Sequence, residues 1–576
     1  MRDYFEAEMR LLHEAAQDFS RAYPEQAGML NLQEVKDRDP YVERLLEGMA
    51  FLTAQIRQRI DDDVPEVCEA LLNQLWPHFL RPVPSLSILQ FSPRPGQLQQ
   101  TRTLAKGSAV LSPPVGEERV ICRFRTTSDT LLQPMRLARL SLIEPPGGGT
   151  ALILGFQLDA GIVAESLELR GIKLYLHADP QVALKLHHAL TADVQSVRVS
   201  FPDHPGQGAR SLGGPETVTA AHLGVEEMLV PGAGRSFVGF HLLQEYFAFR
   251  EKYQFVNLSG FDLLNWPPHC SAFEVEIRLK GVLDKELKLK KENFLLHCTP
   301  AVNLFSATSE PIHLTHLRSE YPVVADAAAA EGMEVYSVDA VSGSDGGSGR
   351  RHDYLALHAY KHRGGRGRYF QSSRKENGVR PLISIRVGGD SAFSRESLSC
   401  AITACNGDYP RRLLQENTLR VPSPDIPSWV QVVNLTRPSK VLRPPMRRDY
   451  RLALISHLSL HYGTLSSVET FRQMLSLYDW SGLEANQRRI EGILGIAVHP
   501  VDRISRGALM RGLRVELTLH EENFASQADI HLFGLILHHF LGMYASLNTF
   551  VETRILCHPS HRDYAWKPLV GESYRL

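Results

Sequence analysis

Two groups of side chains in this sequence have the composition of a metal site. His457 and His461 stand four residues apart, which on a helix puts both imidazoles on one face. Zinc needs three or four ligands, and none follows nearby. Cys557, His558 and His561 offer a thiol and two imidazoles, and would chelate only if the fold brought them a fourth ligand. Cys400 and Cys405 are too far apart for a zinc-knuckle pair. The run Asp61-Asp62-Asp63 could hold a cation through its carboxylates. At a junction between helices, however, the same acids face the positive end of the next helix dipole, which is a structural role. His13-Glu14 has no second histidine at the spacing of a zincin helix, and neither a Walker loop, a Gly-x-Gly-x-x-Gly nor a Gly-x-Ser-x-Gly elbow occurs. The glycines at 364, 365 and 367 sit in a basic loop with no helix expected after them. Scattered carboxylates cannot be paired from one sequence, so an acid/base hydrolase has no support here without being excluded.

Composition narrows the alternatives. Of 576 residues, 43% are hydrophobic and 22% charged, and 63 Lys+Arg balance 64 Asp+Glu to a net charge of -1. These are values for an ordinary globular protein, and they supply no overall basic field for phosphate backbones. Nucleic acid is therefore not expected as a partner. Seven cysteines without a Cys-x-x-Cys fit a reducing compartment, and the acidic N-terminal residues do not read as a secretory signal. Ile530 to Val551 contains no Asp, Glu, Lys or Arg and is long enough to cross a bilayer. His531, His538, His539 and Asn548 interrupt it, so the expectation is a buried helix and no membrane span.

The elements that would position any site change character along the chain. Phe5, Met9, Leu12, Ala16, Phe19 and Tyr23 recur at steps of four and three, the stripe of a helix ending before Pro24. A second helix begins at Asp39-Pro40 and carries Val42, Leu45, Met49, Leu52, Ile56 and Ile60; a third starts near Pro65 with Val67, Leu71, Leu75 and Phe79. Such stripes pack either on one another and the rest of the chain, or in a bundle completed by another chain. From Ser85 short apolar runs alternate with Gly/Pro turns, and Ala151–Leu158, Ser166–Leu176, Val194–Phe201, Phe237–Leu243 and Ala272–Lys280 read as strands. The Gly/Ser tract 342–349 reads as a mobile loop. The neighbouring Lys361, Arg363, Arg366, Arg368, Arg374, Lys375 and Arg380 form a basic patch, either solvated or facing an acidic partner. A helix after Ser467, an alternating strand ending at Leu519, the uncharged helix and a last strand around Phe550–Leu556 complete an α/β part. The expected fold is α+β: an N-terminal helical bundle segment (1–84), β-rich middle domains (85–300 and 301–450) and an α/β C-terminal domain (451–576).

Several phrases resemble one family. They are Glu43-Arg44-Leu45-Leu46-Glu47-Gly48 with Phe51-Leu52, Pro77-His78-Phe79-Leu80-Arg81-Pro82, the run Leu243 to Tyr253, Cys298 to Phe305, Glu334 to Val338, Leu454 to Leu460, Arg506-Gly507 with Arg511-Gly512, and Phe533-Gly534. In that order they resemble the TssF family, also called VasA or ImpG, of type VI secretion baseplate subunits. The resemblance implies a structural protein with no cofactor, no metal and no catalytic residue, resident in the cytoplasm in a baseplate docked at an inner-membrane complex. It implies assembly with TssG, a second TssF copy, TssK and TssE, and contact with the VgrG hub and sheath. The partner-binding residues it points to are Phe5, Met9, Leu12, Phe19, Val42, Leu45, Met49, Leu52 and Ile56. The other readings are a baseplate component of a contractile phage tail and a carbohydrate-active hydrolase.

Overall fold

The computed structural model describes residues 2–22, 41, 44–55, 72 and 77–571, apart from 147, 231–238, 284–286, 326–331, 346–349, 358–366, 378–379, 390–395, 446–449, 451–452, 455–466, 506–507, 544 and 546. It is a mixed, mostly β structure with a small helical part at the N-terminus, in two compact units: residues 1–75 with 446–458, and residues 76–445 with 459–576. The first unit contains the helix Arg2–Ala22 and a helix over 44–55.

Among the described residues the second unit is built on five larger sheets and one two-stranded sheet, whose strands follow from the alternation of buried and exposed side chains. Ala272–Leu279 shows the principle: Phe273, Val275, Ile277 and Leu279 are buried while Glu274, Glu276 and Arg278 between them are only partly covered. It lies between Thr150–Leu158 and Val194–Ser200 in a five-stranded sheet. That sheet shares a core with the four-stranded sheet containing Gly171–Leu176 and Phe255–Ser259, and with the helix Pro180–Ala192, whose proline follows Asp179 at the first turn. A six-stranded sheet draws strands from three distant stretches, with Leu86–Pro93 between Cys298–Val302 and Val430–Asn434. Residues 85–300 and 301–450 are thereby knitted together. A further sheet carries Glu334–Asp345 beside Glu396–Cys405, and the hairpin Arg368–Asn377/Arg380–Gly389.

The C-terminal part is a βαβ unit. Ala508–His520 runs parallel to Phe550–His558, and the connecting helix Gln527–Met543 covers the pair. That helix is buried on nearly every side, which explains its lack of charge from Ile530 onward. The uncharged stretch thus divides into this helix and a strand, and no helix among the described residues is long and apolar enough to cross a membrane. The helix after Ser467 is Val468–Tyr478, with Ser467 accepting a hydrogen bond from Thr470 N, and Phe471, Leu475 and Tyr478 are buried.

Five local expectations need correction. Phe237–Leu243 does not give a strand: Gly239–Ala248 is a helix, buried through Phe247. A short unbroken apolar run does not distinguish the two, and the length of the element settled it for a helix. Ser166–Leu176 yields a strand only from Gly171, because Ala164–Ser166 turns as a 3-10 helix. The Gly/Ser tract is no loop over 342–345, where Ser342, Gly343, Ser344 and Asp345 pair with Ser399, Leu398, Ser397 and Glu396. Gly343 fits there because a Cβ would stand 2.6 Å from His352 Nε2. Finally, Arg368 and Arg374 are not a solvated loop. Arg368 pairs with buried Glu396, and Arg374 donates to the Tyr336 carbonyl at 2.9 Å. Phe79, expected on a third helix, sits in the 3-10 turn Pro77–Leu80.

Candidate interaction surface

The 44–55 helix has two unlike faces. Leu45, Met49 and Leu52 follow one another at steps of four and three and leave 67%, 49% and 59% of their surface in solvent. Ala50 and Ala54 are fully buried. At about 100° per residue the two alanines point roughly 150° away from the stripe. The chain thus packs this helix through its smallest side chains and leaves the large apolar ones uncovered. That is the reverse of what a helix serving only its own core does. On the Arg2–Ala22 helix, Phe5, Met9 and Leu12 are partly buried, and Phe19 and Leu11 are exposed. Val42 and Ile56 lie outside the described residues, as do His457, His461 and Asp61-Asp62-Asp63.

The sequence phrases beyond the helices converge on interior joints. The turn Pro77–Leu80 is buried, with His78 3.9 Å from His241 and Phe79 5.3 Å from Tyr478 between ring centres. Burial holds His78 well below its ordinary value, with His241 and Arg81 adding to the shift, and it lowers His241 as well, where Glu245 opposes the shift. Next along the Gly239–Ala248 helix, Glu245 meets Lys252 at 2.5 Å, both buried, and its other oxygen accepts from Leu229 N at 2.7 Å and Val230 N at 3.3 Å. A buried ion pair is tolerable only when its remaining lone pairs are satisfied in this way. Arg250 reaches Asp529 at the start of the Gln527–Met543 helix, where Arg489 also donates at 2.9 Å. In the Cys298–Phe305 phrase, Asn303 donates to the Asn406 side chain at 2.8 Å and accepts from Asn406 N at 2.7 Å. Asn406 also donates to the Gly332 carbonyl at 3.0 Å and accepts from Arg123 N at 3.0 Å. Glu334 pairs with Arg443, and Gly534 admits no side chain because a Cβ would stand 2.4 Å from Ile555. Apart from Glu245 and Lys252, which are seven residues apart, the partners lie far apart along the sequence, which carries no signal that pairs them.

The groups with a potential for chemistry do not meet. Cys400 and Cys405 occupy opposite faces of one strand, five residues apart. Cys557 points inward and His558 outward. Burial pushes the Cys557 thiol up to about 11 and the Cys405 thiol up to about 12, so both stay protonated. Among the described residues no group of three His, Cys, Asp or Glu is placed to hold a metal ion. The carboxylates Glu245, Asp529 and Glu396 are each taken up by a cation of the chain itself. A cleft of about 390 Å³ on the C-terminal sheet is lined by Arg503, Arg514, Arg554, Glu552 and Asp563, in which Glu552 and Asp563 are already paired with the arginines.

Comparison with known proteins gives the family. The family model described as type VI secretion system, TssF, matches residues 1–573. The type VI secretion system component TssF1 of Pseudomonas aeruginosa is 30% identical, over 96% of this chain and 95% of its own length. A chain of the TssK-TssF-TssG baseplate subcomplex, solved by cryo-electron microscopy, superposes with a TM-score of 0.78 at 34% identity, over 93% of this chain and 99% of that one. A chain of the type VI secretion baseplate complex gives 0.61 at 30% identity, over the whole of both. With the match running from the exposed helical stripe to the last strand, this chain belongs to the TssF family of the type VI secretion system.

Proposed function

We propose that this chain is a structural subunit of a type VI secretion baseplate wedge, and that its N-terminal helices are sealed by other subunits. The observation that carries the reading is the uncovered row Leu45, Met49 and Leu52 on a helix whose own chain buries only Ala50 and Ala54. Phe5, Met9, Leu12 and Phe19 on the preceding helix, with Val42 and Ile56 flanking the row in sequence, belong to the same surface. TssG is the partner in this reading, since a TssF chain of the same fold comes from a complex with TssG and TssK. TssK, TssE and a second TssF copy complete the wedge, and the VgrG hub and sheath contact it. The assembly lies in the cytoplasm, docked at an inner-membrane complex.

The role is mechanical, with no cofactor and no substrate turnover. Residues 1–84 supply helices to a shared bundle, and the stretches 85–300, 301–450 and 451–576 form the platform. Interior ion pairs and carboxamide pairs keep that platform stiff while it transmits load between neighbours. The match to a type VI secretion family along nearly the whole chain favours this reading over a phage tail component. Coexpression with the cognate TssG tests it. Leu45→Asp with Met49→Asp abolishes the complex and leaves the β-rich second unit folded; a complex that survives both substitutions removes the assigned interface.

A further inference from the structure

A second feature lies away from the helical stripe, where the helix Pro180–Ala192 of the β-rich part meets the helix Gln527–Met543 of the C-terminal part. His188 from the first and His531 from the second stand 4.9 Å apart, edge to face, and Tyr564 closes the contact at 6.0 Å from His188 and 5.6 Å from His531. Trp566 backs His531 at 5.5 Å and stacks on His538 at 5.8 Å. His187 lies beside them, fully buried. His531 Nδ1 and His187 Nε2 have no hydrogen-bond partner.

We propose that this histidine seam is a protonation-sensitive joint, at which proton uptake by His188 and His531 parts the two helices while the sheets on either side stay folded. The argument is geometric. Two imidazolium rings at this separation, one buried and the other only partly open to water, repel, and a charged N–H on the inner edge of His531 has nothing to receive it. The charged groups facing the seam act in both directions on His188, where Asp193 favours the charged ring and Arg562 opposes it, whereas around His531 the neighbouring His188 and His187 both oppose a charge. On the first helix and its end they are His187, His188 and Asp193, with Asp193 Oδ2 3.9 Å from His188 Nδ1. From the second helix comes His531, and from the C-terminal strands Tyr564 and Arg562, whose positive charge acts on His188 in the unfavourable direction. Burial and the neighbouring histidines lower His531 well below its ordinary value, in keeping with a joint closed only when neutral. Asp529, two residues before His531, is held by Arg250 and Arg489, a clamp without histidine that keeps the start of the second helix attached. Opening is therefore local.

Hydrogen exchange of the full-length chain, corrected for the intrinsic pH dependence of exchange, tests the proposal without a variant. Between about pH 7.5 and about pH 5, peptides over 180–192 and 527–543 lose protection by roughly tenfold or more, while those over 150–158 and 272–279 keep theirs. His188→Gln, at the rim of the seam, reduces the loss, and His188→Gln with His531→Gln removes it. Unchanged protection of the two helices, an equal loss in all four segments, or the same loss in His188→Gln overturns the proposal; if the double variant does not fold, the wild-type series and His188→Gln decide.

Discussion

Replacing Leu45, Met49 and Leu52 together by alanine separates assembly from folding. The three side chains leave 67%, 49% and 59% of their surface in water, so a partner can still cover about half to two-thirds of each. Fully burying a leucine or methionine contributes about 1.5–3 kcal/mol, so the uncovered share corresponds to roughly 1–2 kcal/mol per residue. Alanine retains part of that surface, which leaves a loss of about 2–4 kcal/mol for the triple substitution. Affinity for TssG then falls by about 30- to 1,000-fold. The isolated chain changes by no more than about 0.5 kcal/mol in total, because exposed helix positions tolerate alanine. Ala50→Leu is the complementary change. Ala50 is fully buried, so the three added heavy atoms crowd the site and destabilise the helix by about 1–3 kcal/mol before any partner arrives. Titration of full-length variants against TssG, with chemical denaturation of each variant alone, reads both quantities. Affinity within twofold of wild type for the triple alanine variant refutes the reasoning, as does a triple variant that loses as much stability as Ala50→Leu.

Three further outcomes follow from the interior joints. Lys252→Met leaves Glu245 buried beside a neutral side chain and costs about 3–5 kcal/mol in the denaturation free energy, of which Glu245→Gln in the same chain restores a part. Asn406→Ala removes the acceptor of Arg123 N and of one N–H of the Asn303 amide, whose nitrogen still reaches the Arg123 carbonyl, and lowers stability by about 2–4 kcal/mol, measured in the same way. His187 is pushed down to about 4 by burial, so the folded chain stays neutral there while the unfolded chain takes up a proton below about 6.5. Its contribution is intact above pH 6.5 and falls by about 3 kcal/mol as the pH drops to about 4, a slope that His187→Gln removes from the stability profile.

The fold was legible where one physical signal acted alone. The alternation of Ala272–Leu279, the stripe of Val468–Tyr478 with its Ser467 cap, and the helix Gln527–Met543, uncharged from Ile530 onward, each follow from residue pattern and burial. Patterns failed where a neighbour decides. Gly239–Ala248 is buried on all sides, its polar residues included, so no period marks it, and Ser342–Asp345 becomes a strand because Glu396–Cys405 offers a ladder to a tract with little preference of its own. The candidate surface was half legible. Spacing gave the row Leu45, Met49 and Leu52, but whether this chain covers it is a matter of tertiary packing, which only Ala50 and Ala54 reveal. The joints were not legible at all: Arg250 and Asp529, or Asn303 and Asn406, carry no mark that pairs them across the sequence.

Thiol footprinting of the apolar row tests the central claim most directly. Leu45→Cys, Met49→Cys and Leu52→Cys, made singly, are labelled in the free chain and in its complex with TssG, with Leu317→Cys as a control at a position 89% exposed. Labelling at 45, 49 and 52 slows by about tenfold or more in the complex while 317 is unchanged, as expected for side chains sealed in an interface core. Equal labelling rates at 45, 49 and 52 in the free and assembled chain would contradict the account.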